Sequence, residues 1–199
     1  MTKKLMTRRS ILQNWLAATA AGLAASLPRV SAQAQTLQTT PFCDDQTAPT
    51  IAGTEGPFYT PRTPRKTDFR QDAAGDALTL TGFVVTRECK PIADALIDLW
   101  HADAEGEYDN EGYKLRGHQL TDAEGRYVFE TIIPAPYSRR TRHYHVKVTA
   151  PGGRVLTTQL YFPGEEGNGN DFLFNERLLM RVVNASDGKV GRFDFVLDG

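Results

Sequence analysis

The chain is poor in cysteine: Cys43 and Cys89 are the only two among its 199 residues. Two thiols cannot build a disulfide scaffold or a multi-cysteine zinc site. Histidine is scarce as well, with His101, His118, His143 and His145 the complete set. That is too few for a histidine-rich zinc site, and nothing after His145 supplies the late histidine a cupin needs. No run reaches the roughly 20 apolar residues of a membrane span. The best candidate, Ile11 to Leu27, is broken by Gln13, Asn14 and Thr19. No window sustains an apolar period of 3.6, so a helical bundle has no support. Acids are missing from residues 1–34, which carry Lys3, Lys4, Arg8, Arg9 and Arg29. The formal net charge of −1 therefore conceals 18 of the 23 bases set against all 24 acids beyond that segment. Such an acidic surplus argues against nucleic-acid binding by counterion release. What is present is ordinary for a globular protein, 40% hydrophobic and 24% charged, which excludes a disordered or collagen-like chain.

The acid-free start reads as a targeting segment. Basic residues precede Thr7-Arg8-Arg9-Ser10-Ile11-Leu12, a weakly apolar run follows from Trp15 to Leu27, and Ser31-Ala32-Gln33-Ala34 offers small residues for cleavage after Ala34. The paired arginines resemble a twin-arginine signal, which exports folded proteins. The expectation is residues 1–34 removed, a periplasmic or secreted mature protein, and no membrane attachment afterwards. In an oxidising compartment Cys43 and Cys89 are free to pair; two buried thiols are the alternative, and the sequence does not choose between them.

Residues 35–76, rich in Thr, Pro, Gln and Asp, read as an extended arm with one ordered-looking patch, Thr54-Glu55-Gly56-Pro57-Phe58-Tyr59. Beyond it the pattern becomes β. Runs rich in Val, Ile, Leu, Tyr and Phe occupy Leu78–Arg87, Ala93–His101, Arg126–Ile132, His143–Thr149, Val155–Phe162, Arg177–Val183 and Arg192–Leu197. Turn signals such as Asp122-Ala123-Glu124-Gly125, Pro151-Gly152-Gly153 and Asp187-Gly188 separate them. The expectation is an all-β protein, an antiparallel β-sandwich over residues 77–199.

The most chemical stretch is Arg140-Thr141-Arg142-His143-Tyr144-His145-Val146-Lys147-Val148. On a strand, His143 and His145 share one face while Tyr144, Val146 and Val148 share the other. The apolar set needs the core, which leaves two imidazoles free to reach one metal ion; two exposed histidines are the plainer alternative. No Asp or Glu lies between Glu130 and Glu165 to complete a two-histidine, one-carboxylate site. Tyrosine is what stands near: Tyr137 in Pro134-Ala135-Pro136-Tyr137, and Tyr108 at the end of the segment opened by Trp100.

In combination these stretches resemble the intradiol ring-cleavage dioxygenases, the protocatechuate 3,4-dioxygenase-like group of non-haem iron(III) enzymes. The similarity runs over roughly residues 54–165. It includes Glu55 to Tyr59, Gly82 to Val85 with Pro91 to Ala95, and Asp98 to Tyr108. It continues through Leu115-Arg116-Gly117, Thr121 to Tyr127, Pro134 to Tyr137, Arg140 to His145, and Leu156-Thr157-Thr158-Gln159. The resemblance implies that Tyr108, Tyr137, His143 and His145 bind iron(III). Tyr137 would be the labile ligand, leaving as a base when substrate arrives. Arg140 would stabilise charge on the ring, and Gln159 would hydrogen-bond in the same pocket. It further implies O2 and a catechol-type aromatic as substrates, with cleavage between the two hydroxylated carbons to a cis,cis-muconate-type product. The choice of ligand is chemically coherent, because a hard trivalent ion favours anionic phenolate oxygen. Two features depart from the better-known members: only five residues separate Tyr137 from His143, and no N-terminal helical segment is present. Arg139, Arg140 and Arg142 at that edge would suit an anionic substrate. Two other classes compete, a secreted non-catalytic, transthyretin-like binding module and a zinc hydrolase using both histidines with a carboxylate. Neither the particular catechol nor assembly as a homo-oligomer is legible.

Overall fold

The structure, a computed structural model, describes residues 48–198. The targeting segment and Cys43 lie outside the described residues. Nine strands follow in order: β1 (Ala77–Thr86), β2 (Leu96–Trp100), β3 (Arg116–Leu120), β4 (Arg126–Ile132), β5 (His143–Thr149), β6 (Val155–Tyr161), β7 (Arg181–Ala185), β8 (Gly188–Arg192) and β9 (Phe195–Leu197). They form two sheets. One has the order β4-β1-β8-β7 with β9 also on β1, and the other the order β3-β2-β5-β6. The expected all-β sandwich is what forms, although β1 pairs in parallel with both β8 and β9.

Alternation explains the layers. In β1, Leu78, Leu80 and Val84 turn inward every second residue. They meet Tyr127 and Phe129 of β4 and, from the other sheet, Ile97, Leu99, Tyr144, Val146, Val148 and Leu160. The passage from β8 to β9 requires a close approach. At Gly82 a Cβ would stand 1.8 Å from the Phe193 carbonyl oxygen, so only glycine fits. Opposite it, Phe193 N–H donates to Thr81 O at 3.0 Å and Phe83 N–H to the Asp194 carboxylate at 3.1 Å.

Three readings of the sequence change. The run Arg177–Val183 divides into a 3-10 turn, Glu176–Leu178, and a strand starting at Arg181. Strand β3 and the hairpin partner β8 occupy polar stretches that carry no apolar alternation. The described part of the arm, finally, is irregular but packed. Residues 48–65 lie across the outer face of the four-stranded sheet, with Gly53 N–H donating to Thr157 O at 2.7 Å and Thr158 Oγ1 to Ile51 O at 2.7 Å. Tyr59 and Thr63 both donate to the buried Asp98 carboxylate of β2, at 3.1 and 2.9 Å. Further on, Phe69 is fully buried in the core. Cys89 is disulfide-bonded, and the sequence holds only one other cysteine, Cys43. Among the described residues no helix is long and apolar enough to cross a membrane.

Candidate metal centre

Register assembles the floor of the site. Trp100 of β2 pairs with Arg116 of β3 and with His145 of β5, and His145 pairs with Gln159 of β6. Residues directly opposite share a face, so these four form a row across the outer surface of the sheet. His143 and Tyr161 form the next row. Tyr144, Val146 and Val148 occupy the inner face as the alternation requires. The histidines are nonetheless not exposed. They are only 3% and 1% accessible; Tyr137 and Tyr161 flank His143, and the arm lies against His145. At Gly56, with φ +74°, a Cβ would sit 3.2 Å from His145 Cε1.

The four predicted ligands come together. His143 Nε2 and His145 Nε2 are 3.1 Å apart, and His143 Nδ1 lies 2.6 Å from the Thr141 carbonyl oxygen. That carbonyl can only accept, so Nδ1 carries the proton and Nε2 presents a lone pair to the site. Trp100 stacks on His145 with rings 4.9 Å apart and 9° from parallel, fixing the imidazole plane. Tyr108 comes from the loop after β2, and Tyr137 from a turn in which Arg140 N–H donates back to the Tyr137 carbonyl at 2.9 Å. The two phenol rings meet edge to face at 5.3 Å; Tyr108 lies 6.1 Å from His145 and Tyr137 5.8 Å from His143, centre to centre. Phe58, from the arm, stacks on Tyr108 at 4.4 Å.

The donors fit a hard cation. The Tyr108 hydroxyl is buried with no hydrogen-bond partner, and so is His145 Nδ1; an orphaned buried polar group is expensive unless something else completes it. Burial lowers the pKa of His143 to about 4, with the Arg140 charge adding to it, and burial also drives His145 well down. Both rings are therefore neutral and able to donate lone pairs at neutral pH. Burial pushes the Tyr108 phenol above its ordinary value near 10, so only a strong local positive charge can ionise it. Among the described residues no three His, Cys, Asp or Glu side chains are grouped to hold a metal ion. A cation here must draw on phenol oxygen.

Arg140 and Gln159 also arrive where predicted, with two partners the sequence did not reveal. Arg140 Nε donates to both oxygens of Asp171 at 2.9 and 2.8 Å, and the Asp171 side chain is fully buried. Arg140 Nη2 donates to Gln159 Oε1 and, at 3.2 Å, to the Tyr161 hydroxyl. Gln159 Nε2 is held by the Thr54 carbonyl at 3.0 Å. Arg142 pairs with Glu165 at 3.0 Å. Two of the three arginines at the site's edge thus have carboxylate partners. Asp171, separated from Arg140 by 31 positions, had no local signal.

A β-sandwich with two tyrosines and two histidines converging on its outer sheet defines the class of scaffold. The chain belongs to the Dioxygenase family, whose Dioxygenase_C model matches residues 54–199. It is similar to catechol 1,2-dioxygenase 2 of Acinetobacter lwoffii, at 33% identity over 69% of this chain and 61% of that protein. Among solved structures, the dioxygenase domain of a dioxygenase carbohydrate-binding protein fusion from Streptomyces sp. SirexAA-E shares 49% identity with a TM-score of 0.74, covering 76% of this chain and 99% of that one. The 3-chlorocatechol 1,2-dioxygenase of Rhodococcus opacus 1CP shares 30% identity with a TM-score of 0.68, covering 75% and 73%. The chain spans 49 to 61% of the length of the first curated relatives it matches.

Proposed function

We propose that this chain is an iron(III) intradiol dioxygenase that opens a catechol-type ring between its two hydroxylated carbons, giving a cis,cis-muconate-type product. The observation carrying this is the convergence of Tyr108, Tyr137, His143 and His145 with an orphaned phenol hydroxyl and two imidazole nitrogens 3.1 Å apart. Catechol plus O2 accounts for every atom of the product, both oxygens entering the two new carboxyl groups, so no external reductant is required. When bound, ferric iron supplies the Lewis acidity that makes a catecholate ring carbon reactive towards O2.

The chain's own residues do the rest. His143, His145 and Tyr108 would hold the metal, two on a β-strand and one pinned under Phe58. Tyr137, flanked by exposed Pro136 and Ser138, would be the fourth ligand, and its oxygen is the group suited to take a proton from one catechol hydroxyl. The guanidinium of Arg140 offers fixed positive charge where negative charge builds on the ring. Gln159 and Asp171 keep that guanidinium in one orientation. The covering arm excludes bulk water and strengthens each of these interactions. We further propose export of the folded protein through a twin-arginine route. Its support is the N-terminal sequence together with the disulfide at Cys89, a bond an oxidising compartment sustains.

The test is spectroscopic. The ferric protein should show a visible tyrosinate-to-iron charge-transfer band and consume O2 with catechol. Tyr108→Phe should lose or shift the band and lose oxygen uptake while keeping its fold. An unchanged spectrum in that variant, or one equivalent of zinc with no visible band, would overturn the reading.

A further inference from the structure

Two arginines are buried beside the candidate centre, and they are treated differently. Arg140 has a carboxylate partner in Asp171. Arg116, on β3 in the same row as Trp100 and His145, is 0% exposed and makes no ion pair with a carboxylate among the described residues. Its Nε donates to the Asp109 carbonyl at 2.9 Å and its Nη1 to the Phe58 carbonyl at 2.6 Å; Nη2 has no partner. The nearest acids are occupied elsewhere. The Asp109 carboxylate accepts from the backbone of Glu111, Gly112 and Lys114, and the Asp98 carboxylate from Tyr59 and Thr63. A buried, unpaired guanidinium is destabilising, and arginine cannot escape by losing its proton. Something nearby must make this charge favourable.

Both carbonyls it grips bracket Tyr108. Asp109 is the next residue, and Phe58 carries the ring stacked on Tyr108 at 17° from parallel. Arg116 therefore ties the loop bearing Tyr108 to the arm that covers it. If Tyr108 binds a ferric ion there as tyrosinate, its phenolate oxygen stands in the field of a buried guanidinium that makes no ion pair with a carboxylate among the described residues. We propose that Arg116 is a positioning residue of the metal centre, clamping Tyr108 through two carbonyls and placing a fixed positive charge in the field of its phenolate oxygen. The proposal rests on the iron reading above. It implies that Arg116 favours the ferrous state relative to a neutral residue, since one-electron reduction adds negative charge near a fixed positive one.

The experiment compares ferric wild type with Arg116→Met, which fills the stem without charge, and Arg116→Lys, which keeps charge but not the two-armed grip. The midpoint potential of the Fe(III)/Fe(II) couple is read from bleaching of the charge-transfer band, and iron retention from loss of that band to a chelator. The Met variant should shift to a more negative potential and the Lys variant should stay near wild type. Both should lose iron several-fold faster, because both lose the clamp. Should Met prevent folding, Arg116→Gln is neutral yet still donates, and carries the same expectation for the potential. An unshifted potential in a neutral variant refutes the charge, and wild-type iron retention in both Met and Lys variants refutes the clamp. A wild type that takes up iron without colour refutes the iron reading itself, a different outcome from a coloured wild type with indifferent variants.

Discussion

Asp171→Ala is the most severe single change that the site permits without touching a proposed ligand. The carboxylate accepts from Arg140 Nε, from Thr141 N–H at 3.0 Å and from Leu173 N–H at 2.9 Å. Its removal leaves an 8%-exposed guanidinium without a counter-charge and two amides without acceptors. Removing one partner of a buried ion pair costs about 3–5 kcal/mol, a large part of the roughly 5–15 kcal/mol that holds a typical domain folded. For a domain of this size that corresponds to a melting temperature lower by about 10 °C. Urea denaturation of the metal-free protein gives the free energy directly, and Asp171→Asn, which keeps an acceptor but no charge, should fall between wild type and alanine. A loss below about 1 kcal/mol, the range of an exposed ion pair, would show that Arg140 does not depend on Asp171.

Three further outcomes are expected. Gly56→Ala forces a side chain into φ +74° and against His145 Cε1; it should destabilise by about 1–2 kcal/mol and reduce iron loading, and a fully loaded variant of wild-type stability would contradict the packing described. Burial lowers the pKa of His101 to about 4. Its unfolded form takes up a proton from about pH 6.5 downward while the folded form does not. Stability of the metal-free protein should therefore be greatest above pH 6.5 and fall as pH drops towards 4; a His101 proton resonance titrating at an ordinary midpoint would refute this. Reductant, or Cys89→Ser, should cost about 3 kcal/mol of stability, read as a lowered thermal midpoint, and no change would mean that the bond stabilises nothing.

The sequence disclosed the strand carrying His143 and His145 because alternation forces its apolar residues one way and its imidazoles the other. Tyr108 and Tyr137 were reached only through resemblance, since a tyrosine in a loop carries no periodic signal. The packing of the arm carries no periodic signal either. Its composition shows no repeat, yet it packs on His145 and provides Phe58, because what holds it is the Asp98 carboxylate and the edge of β6 rather than a pattern of its own. Strand β3 escaped notice because Arg116-Gly117-His118-Gln119 is polar on both faces, one face lying under the arm. Asp171 illustrates the limit most clearly: the partner that neutralises a buried charge is chosen by tertiary packing, and nothing near either residue announces it.

The placement of β1 has a kinetic consequence. Its neighbours on one side are residues 126–132, but on the other they are residues 189–197, more than 100 positions along the sequence. Contacts so remote in sequence form slowly, because a long loop must close before they repay its entropy. One edge of β1 stays unpaired until residues 188–197 have been synthesised, so a chain still on the ribosome offers that open strand edge to chaperones and to other nascent chains. Trimming β9 leaves Val84–Thr86 of that edge without a partner, and the shortened protein should aggregate rather than merely melt earlier.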